Sequence, residues 1–220
     1  MKALVRWLLD LIYPPKCMLC RRLLESSDQI LCPRCGFDLP EWEGPLRKVP
    51  YYENAVAPFY YKGTVRDAIL RFKFHGMQPY ARQFAQWMAV WVRDHLHGQF
   101  ELITWVPCSR RRRWSRGFDQ AQLLAKALGE ELAVPVFRTL EKVKHNPKQS
   151  TIADGARRRA NVLGVYRAVQ PERFSGKRIL VVDDVLTTGS TLAECGKVLR
   201  MAGSGDLVCA VIAAAGQEKE

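Results

Sequence analysis

Asp183 and Asp184 stand side by side after the aliphatic run 179–182, and Thr187, Thr188, Gly189, Ser190 and Thr191 follow closely. A hydroxyl-rich turn that contains glycine and opens a helix presents backbone N–H groups and hydroxyls to an anion, so it is a seat for phosphate. Two carboxylates beside it can accept hydrogen bonds from vicinal hydroxyls or sit near a bound Mg²⁺. A sugar phosphate carries both complements: a diol for the acids and a 5′-phosphate for the turn.

Two further constellations carry chemistry. Cys17 and Cys20 form one Cys-x-x-Cys knuckle and Cys32 and Cys35 another, eleven residues apart, with Gly36 after the second. Four thiolates at this spacing can converge on one tetrahedral Zn²⁺, which would serve as the stabilising centre of a module too small to fold on its own core. Cys108 and Ser109 lead into the second constellation, Arg110, Arg111, Arg112, Arg113, Trp114, Arg116 and Phe118, which puts five arginines and two aromatics within nine residues. Three readings stay open for this run. It is a solvated basic turn, a clamp for pyrophosphate through guanidinium forks, or a nucleic-acid contact in which Trp114 and Phe118 stack on unpaired bases. Cys108 reads as a small strand-end residue rather than a nucleophile, and the four histidines stand at no catalytic spacing from a carboxylate.

The elements that must position these residues follow from periodicity. The run 179–182 reads as a strand buried on both faces, ended by the two acids, with a helix from about Ser190 carrying Leu192, Cys195 and Leu199. Further strands are expected at 54–61, 102–106, 134–140 and 207–212, and helices at 64–74, 80–96 and 121–132. Phe84, Trp87, Met88, Trp91 and Val92 share one helical face and read as core, as do Cys195 and Cys209. Lys73 reads most simply as a solvated helix residue, with reach to the bound ligand as the alternative, and 142–153 reads as a mobile loop flanked by Lys142, Lys144, Lys148, Arg157, Arg158 and Arg159. Strand and helix in alternation predict an α/β fold with a doubly wound parallel sheet, whose ligands sit at the carboxyl ends of the strands. The expected domains are an amphipathic helix at 1–15, a zinc ribbon at 16–40 and the sheet domain at 51–220, joined by a proline-rich linker at 39–50.

With 220 residues, 48% of them hydrophobic, the chain can build one full domain and a small appendage. Its formal charge of +12 favours a polyanionic partner, whether nucleic acid or phosphorylated ligand. The most apolar run, 207–215, falls far short of the ~20 residues of a spanning helix. Seven cysteines, four of them in knuckles, suit a reducing compartment, and a cytoplasmic location is expected.

The strand with Asp183-Asp184 and the turn Thr187-Thr188-Gly189-Ser190-Thr191 resembles the phosphoribosyl-pyrophosphate motif of type I phosphoribosyltransferases. Joined to the cysteine knuckles and to Tyr61-x-Gly63, Lys73, Arg116-Gly117-Phe118-x-Gln120, Gln149 and Arg158-x-x-Asn161, it resembles the ComF family of competence proteins over almost the whole chain. That resemblance implies a type I phosphoribosyltransferase fold with an N-terminal zinc ribbon, and a role in natural transformation and DNA uptake. It further implies single-stranded DNA and phosphoribosyl pyrophosphate with Mg²⁺ as ligands, and a DNA-translocating helicase or another competence protein as partner. Active phosphoribosyl transfer to a nucleobase or amine is the alternative. Cys108-Ser109 stands where the family pattern has a proline-containing turn, Asp119 replaces an Asn and Asn146 a Thr, so binding of the 5′-phosphate is implied more strongly than transfer.

Overall fold

A computed structural model describes residues 14–44, 48–74, 76–143 and 164–216. The N-terminal helix expected from residues 1–13 lies outside the described residues, as do Lys144, Asn146, Lys148, Gln149, Arg157, Arg158, Arg159 and Asn161.

The first half of the chain forms α1 (Pro33–Phe37), β1 (Asn54–Val56), β2 (Phe59–Tyr60), α2 (Gly63–Phe74), α3 (Tyr80–Leu96) and β3 (Leu102–Trp105). Then come α4 (Arg110–Arg116), α5 (Gln120–Leu132), β4 (Leu140–Lys142) and β5 (Tyr166–Ala168). The chain closes with β6 (Ile179–Leu186), α6 (Ser190–Met201) and β7 (Leu207–Ala214). The main sheet is parallel in the order β1-β7-β6-β3, with β2 also pairing with β7.

Both faces of the two central strands are buried, which is why they read as unbroken apolar runs. Leu180, Val182, Val208, Ala210 and Ile212 point into one core, with α2, α3 and α5 packed over them. Ile179, Val181, Leu207, Cys209 and Val211 point into the other, covered by Leu192, Cys195 and Leu199 of α6. This is the doubly wound α/β arrangement that the alternation of elements predicts. Phe84, Met88 and Val92, one helical turn apart, are all buried in the first core.

Three expectations need correction. The stretch 54–61 is two short strands, because Pro58 has no N–H and its carbonyl is taken by the Trp42 amide at 2.8 Å. The stretch 134–140 does not form a full strand. Only Val136 bridges to Ile103, after which the chain leaves the sheet and β4 pairs antiparallel with β5. The described residues of the stretch 39–50 are laid against the domain: Glu41 bridges Phe59, Pro40 accepts from the Tyr60 amide at 2.7 Å, and Trp42 and Val49 are buried.

The cysteine module shares a core with the sheet domain. Cys17, Met18 and Leu19 are buried in the same cluster as α2 and α3, and the Arg71 guanidinium of α2 donates to the carbonyls of Met18 and Leu19. Among the described residues no helix is long and apolar enough to cross a membrane.

Helix α6 approaches the strap before β1 closely at Gly196, where an added Cβ would lie 2.7 Å from the Tyr52 ring. That ring is buried and its hydroxyl donates to the Leu192 carbonyl at 3.0 Å, so it has little room to yield. Gly196→Ala should therefore destabilise the protein by about 1–3 kcal/mol in urea unfolding, although alanine is favoured over glycine by about 1 kcal/mol in an open helix. A stabilised variant would show that the ring moves freely.

Candidate functional site

Strand β6 does not stop at the acids. Asp183 pairs with Val211 and Val185 with Ala213, so backbone pairing continues through the carboxylates to Leu186. The expectation that Asp183 and Asp184 end the strand is thus corrected. Parallel pairing uses only main-chain groups and tolerates the acids once their side chains reach the open carboxyl end of the sheet. The Asp184 amide donates to Asp183 Oδ1 at 2.8 Å, which fixes the first carboxylate.

Beyond Leu186 the chain turns over Thr187 and Thr188 into α6. Gly189, the residue before the helix, sits at φ 76°, a left-handed conformation that favours glycine. Thr188 Oγ1 and Ser190 Oγ lie 2.8 Å apart, and the Ser190 amide donates to Thr188 Oγ1 at 3.4 Å. The first turn of a twelve-residue helix thus faces the same space as the acids, with hydroxyls from Thr187, Thr188, Ser190 and Thr191 around it.

The arginine run is a helix and not the expected turn. Ser109 caps α4 by accepting from the Arg112 amide at 3.3 Å, and Gly117, at φ 79°, ends it with its amide on the Arg113 carbonyl at 2.8 Å. Helical spacing sorts the run. Arg112 and Arg116, four residues apart, line a cavity of about 510 Å³ shared with the acids and the Thr187–Thr191 turn. Arg110, Arg111, Arg113 and Trp114 face outward, and Trp114 is 88% exposed. Phe118 is not available for stacking on bases, as it is buried in the core, its ring centroid 6.2 Å from that of Phe72.

Cys108 also lines the cavity. Burial and the neighbouring Asp119 push its thiol up to about 12, so it is no nucleophile at neutral pH. Asp119, a departure from the family pattern, has a structural use: it caps α5 through the Gln122 amide at 3.3 Å and accepts from the Cys108 amide at 2.9 Å. The two ends of the cavity's basic wall are tied together by that one carboxylate.

Two further cations complete the site, and the simplest sequence reading places neither of them there. Lys73 is no solvated helix residue, since its Nζ lies 2.8 Å from Asp184 Oδ1 at the cavity wall. Two signals point to it: its place in the family pattern, and its position next to Phe72, a core residue of α2. Lys142 enters from β4, its Nζ 3.3 Å from the Tyr166 hydroxyl and 5.1 Å from the ring centroid. Only the antiparallel pairing of β4 with β5 brings it there, and no periodicity announces that pairing.

The electrostatics divide the cavity. Burial, then the charge of Asp184, pushes the Asp183 carboxyl up to about 8. Burial works against the Lys73 ammonium, but Asp184 and Asp183 outweigh it and hold the group above its ordinary value. On the opposite wall burial and the Arg112 charge pull both Arg116 and Lys142 below theirs. Desolvated cations that crowd one another gain from an anion placed between them, as pyrophosphate or phosphate would be.

The four cysteines form a second site. Their sulfurs lie within 4.8 Å of one another, and Cys20 and Cys32 are 3.7 Å apart. A tetrahedron with zinc–sulfur bonds of about 2.3 Å has edges of about 3.8 Å, so the donor set fits a structural zinc. Burial raises the Cys17 thiol, but the amides of Cys20, Cys32 and Leu19 pull it down to about 6. Burial and its three sulfur neighbours push the Cys35 thiol upward, a penalty that a cation among the sulfurs would relieve.

The phosphoribosyl transferase domain matches residues 115–220 and the double zinc ribbon domain residues 8–48. Competence protein F of Haemophilus influenzae is 32% identical over 85% of this chain and 85% of its own length. The DNA utilization protein YhgH of Escherichia coli K12 is 28% identical over 86% of this chain and 85% of its own. Competence protein ComFC of Bacillus subtilis is 26% identical over 83% and 77%.

The raised Asp183 carboxyl has a consequence for the ligand-free protein. Unfolded, the group ionises near its ordinary value; folded, it holds its proton to about 8. The stability it contributes is thus fully present below the unfolded value and is lost as pH rises through the folded one. Asp183→Asn has no such loss, so its melting temperature should gain on the parent's from pH 5 to pH 9. Parallel pH curves for the two proteins would refute the assignment.

Proposed function

The chain belongs to the ComF family of competence proteins, and from that membership we propose that it is a cytoplasmic DNA-uptake factor that binds single-stranded DNA and a ribose phosphate of the phosphoribosyl-pyrophosphate type. The observation that supports this reading most is the shared cavity. Asp183 and Asp184, the Thr187–Thr191 turn, and the cations Arg112, Arg116 and Lys142 face one another across about 510 Å³. In this reading the acids take the ribose hydroxyls, the turn takes the 5′-phosphate and the cationic wall takes the pyrophosphate. Mg²⁺ arriving with the ligand would be held at Asp183 and Asp184 and would supply positive charge between acids and phosphates. The single strand lies outside, on Arg110, Arg111, Arg113 and Trp114. A DNA-translocating helicase or another competence protein is the partner that such a factor would work beside.

Phosphoribosyl transfer to a nucleobase or amine is a second reading, favoured by the cations Arg112, Arg116 and Lys142 that line the same cavity as the acids. Positive charge developing at C1′ would be stabilised by Asp183 and Asp184, and the leaving pyrophosphate by Arg112, Arg116 and Lys142. Pyrophosphate release from phosphoribosyl pyrophosphate with a nucleobase panel separates the two readings.

Calorimetry should show phosphoribosyl pyrophosphate binding in the presence of Mg²⁺. The double variant Asp183→Asn, Asp184→Asn should bind at least about tenfold more weakly, because hydrogen bonds to charged groups are worth about 1.5–3 kcal/mol each. Equal affinity in the double variant, or none in the parent, would remove the ligand from this site. Oligonucleotide titration at three salt concentrations addresses the outer face. Removing Arg110 and Arg111 should flatten the log–log salt slope by about 1–1.5 units and weaken all sequences alike. Trp114→Ala should cost about 1–3 kcal/mol with the slope little changed. If both variants match the parent, the strand binds elsewhere.

A further inference from the structure

The cavity already holds a cation on its acids, and that cation is part of the chain. Lys73 Nζ lies 2.8 Å from Asp184 Oδ1, with side chains 20% and 15% exposed. Its backbone is fixed from both sides. The Gln120 amide donates to the Lys73 carbonyl at 3.1 Å, Phe72 beside it is fully buried, and Arg71 grips the cysteine module through the Met18 carbonyl at 3.0 Å. The backbone is anchored, and four methylenes separate the ammonium from it.

A partly buried ion pair adds little to folding stability, because desolvation offsets much of the attraction. The pairing is better explained by what it does to other cations. Five cations line the cavity against three acids, Asp119, Asp183 and Asp184. Asp119 is committed to the amides of Cys108 and Gln122. A free divalent ion entering alone therefore meets a positive field and an occupied carboxylate. The same ion entering with a polyphosphate meets neither obstacle, since the anion satisfies Arg112, Arg116 and Lys142 and offers oxygens to a displaced ammonium.

We propose that Lys73 is the resident counter-ion of the acidic pair: it keeps a free divalent cation off Asp184 and yields its place only when the metal arrives with a phosphorylated ligand. The metal-excluding part stands on the ion pair itself, whereas the identity of the ligand rests on the phosphoribosyl reading above.

The test uses Mn²⁺ as an oxygen-seeking probe that does not favour the sulfur site, followed by its paramagnetic resonance in the full, zinc-loaded chain. The parent should bind Mn²⁺ weakly. Lys73→Met should bind it about tenfold or more tightly, the change expected when a charged hydrogen bond no longer competes. Lys73→Arg should behave like the parent, and adding Asp184→Asn to Lys73→Met should abolish the gain. Lys73→Gln, which keeps a donor without the charge, gives the same reading if the methionine variant fails to fold. Unchanged Mn²⁺ affinity in the variants without the charge overturns the proposal. Phosphoribosyl pyrophosphate should in turn raise the parent's Mn²⁺ affinity to that of Lys73→Met. A gain in Lys73→Met with no effect of this ligand on the parent leaves the counter-ion in place and removes the phosphoribosyl reading alone.

Discussion

Everything at the site hangs on the pairing of β6 with β7 from Ile179 to Leu186. An eight-residue strand, buried on both faces over its first half, is held by main-chain hydrogen bonds that are blind to side-chain polarity. Its second half can therefore carry two acids past the edge of the core without losing its direction. The sheet supplies rigidity, and the acids inherit it. The turn at Gly189 and the start of α6 then fall within reach of the same space, because α6 must fold back onto Ile179, Val181 and the rest of the second core.

The rest of the cavity is assembled from pieces distant in sequence. Helix α4 lies between β3 and α5 in the chain, helix α2 brings Lys73 onto Asp184, and β4 brings Lys142. Asp119 and Gln120 act as the cross-braces: one carboxylate ties Cys108 to the start of α5, and one amide ties α5 to the end of α2. The cysteine module reaches the same network through Arg71, two residues before Lys73. Metal centre and cavity thus share a helix as well as a chain.

What the sequence makes legible is what local rules govern. The run of aliphatics before Asp183, the hydroxyl-rich turn, the paired knuckles and the period of α3 are all short-range patterns, and each corresponds to an element or a cluster in the structure. The Lys73–Asp184 pair spans more than a hundred residues, and no short-range pattern announces that the two meet. The arginine run reads as a turn because seven residues give barely two helical turns, and it is Ser109 and Gly117 as caps that make it a helix. Phe118 looked like a partner for Trp114 because the two are close in sequence, yet Gly117 turns the chain between them and sends one inward and the other out.

That short helix also acts as a partition. Arg112 and Arg116 belong to the cavity, while Arg110, Arg111, Arg113 and Trp114 belong to the surface, although the seven residues from 110 to 116 hold them all. Selection can then act on alternate residues of one segment for unrelated reasons. A substitution at an outer position leaves the inner pair at its spacing, and one at an inner position leaves the outer face as it was. One seven-residue segment thus presents two faces that sequence change can alter separately.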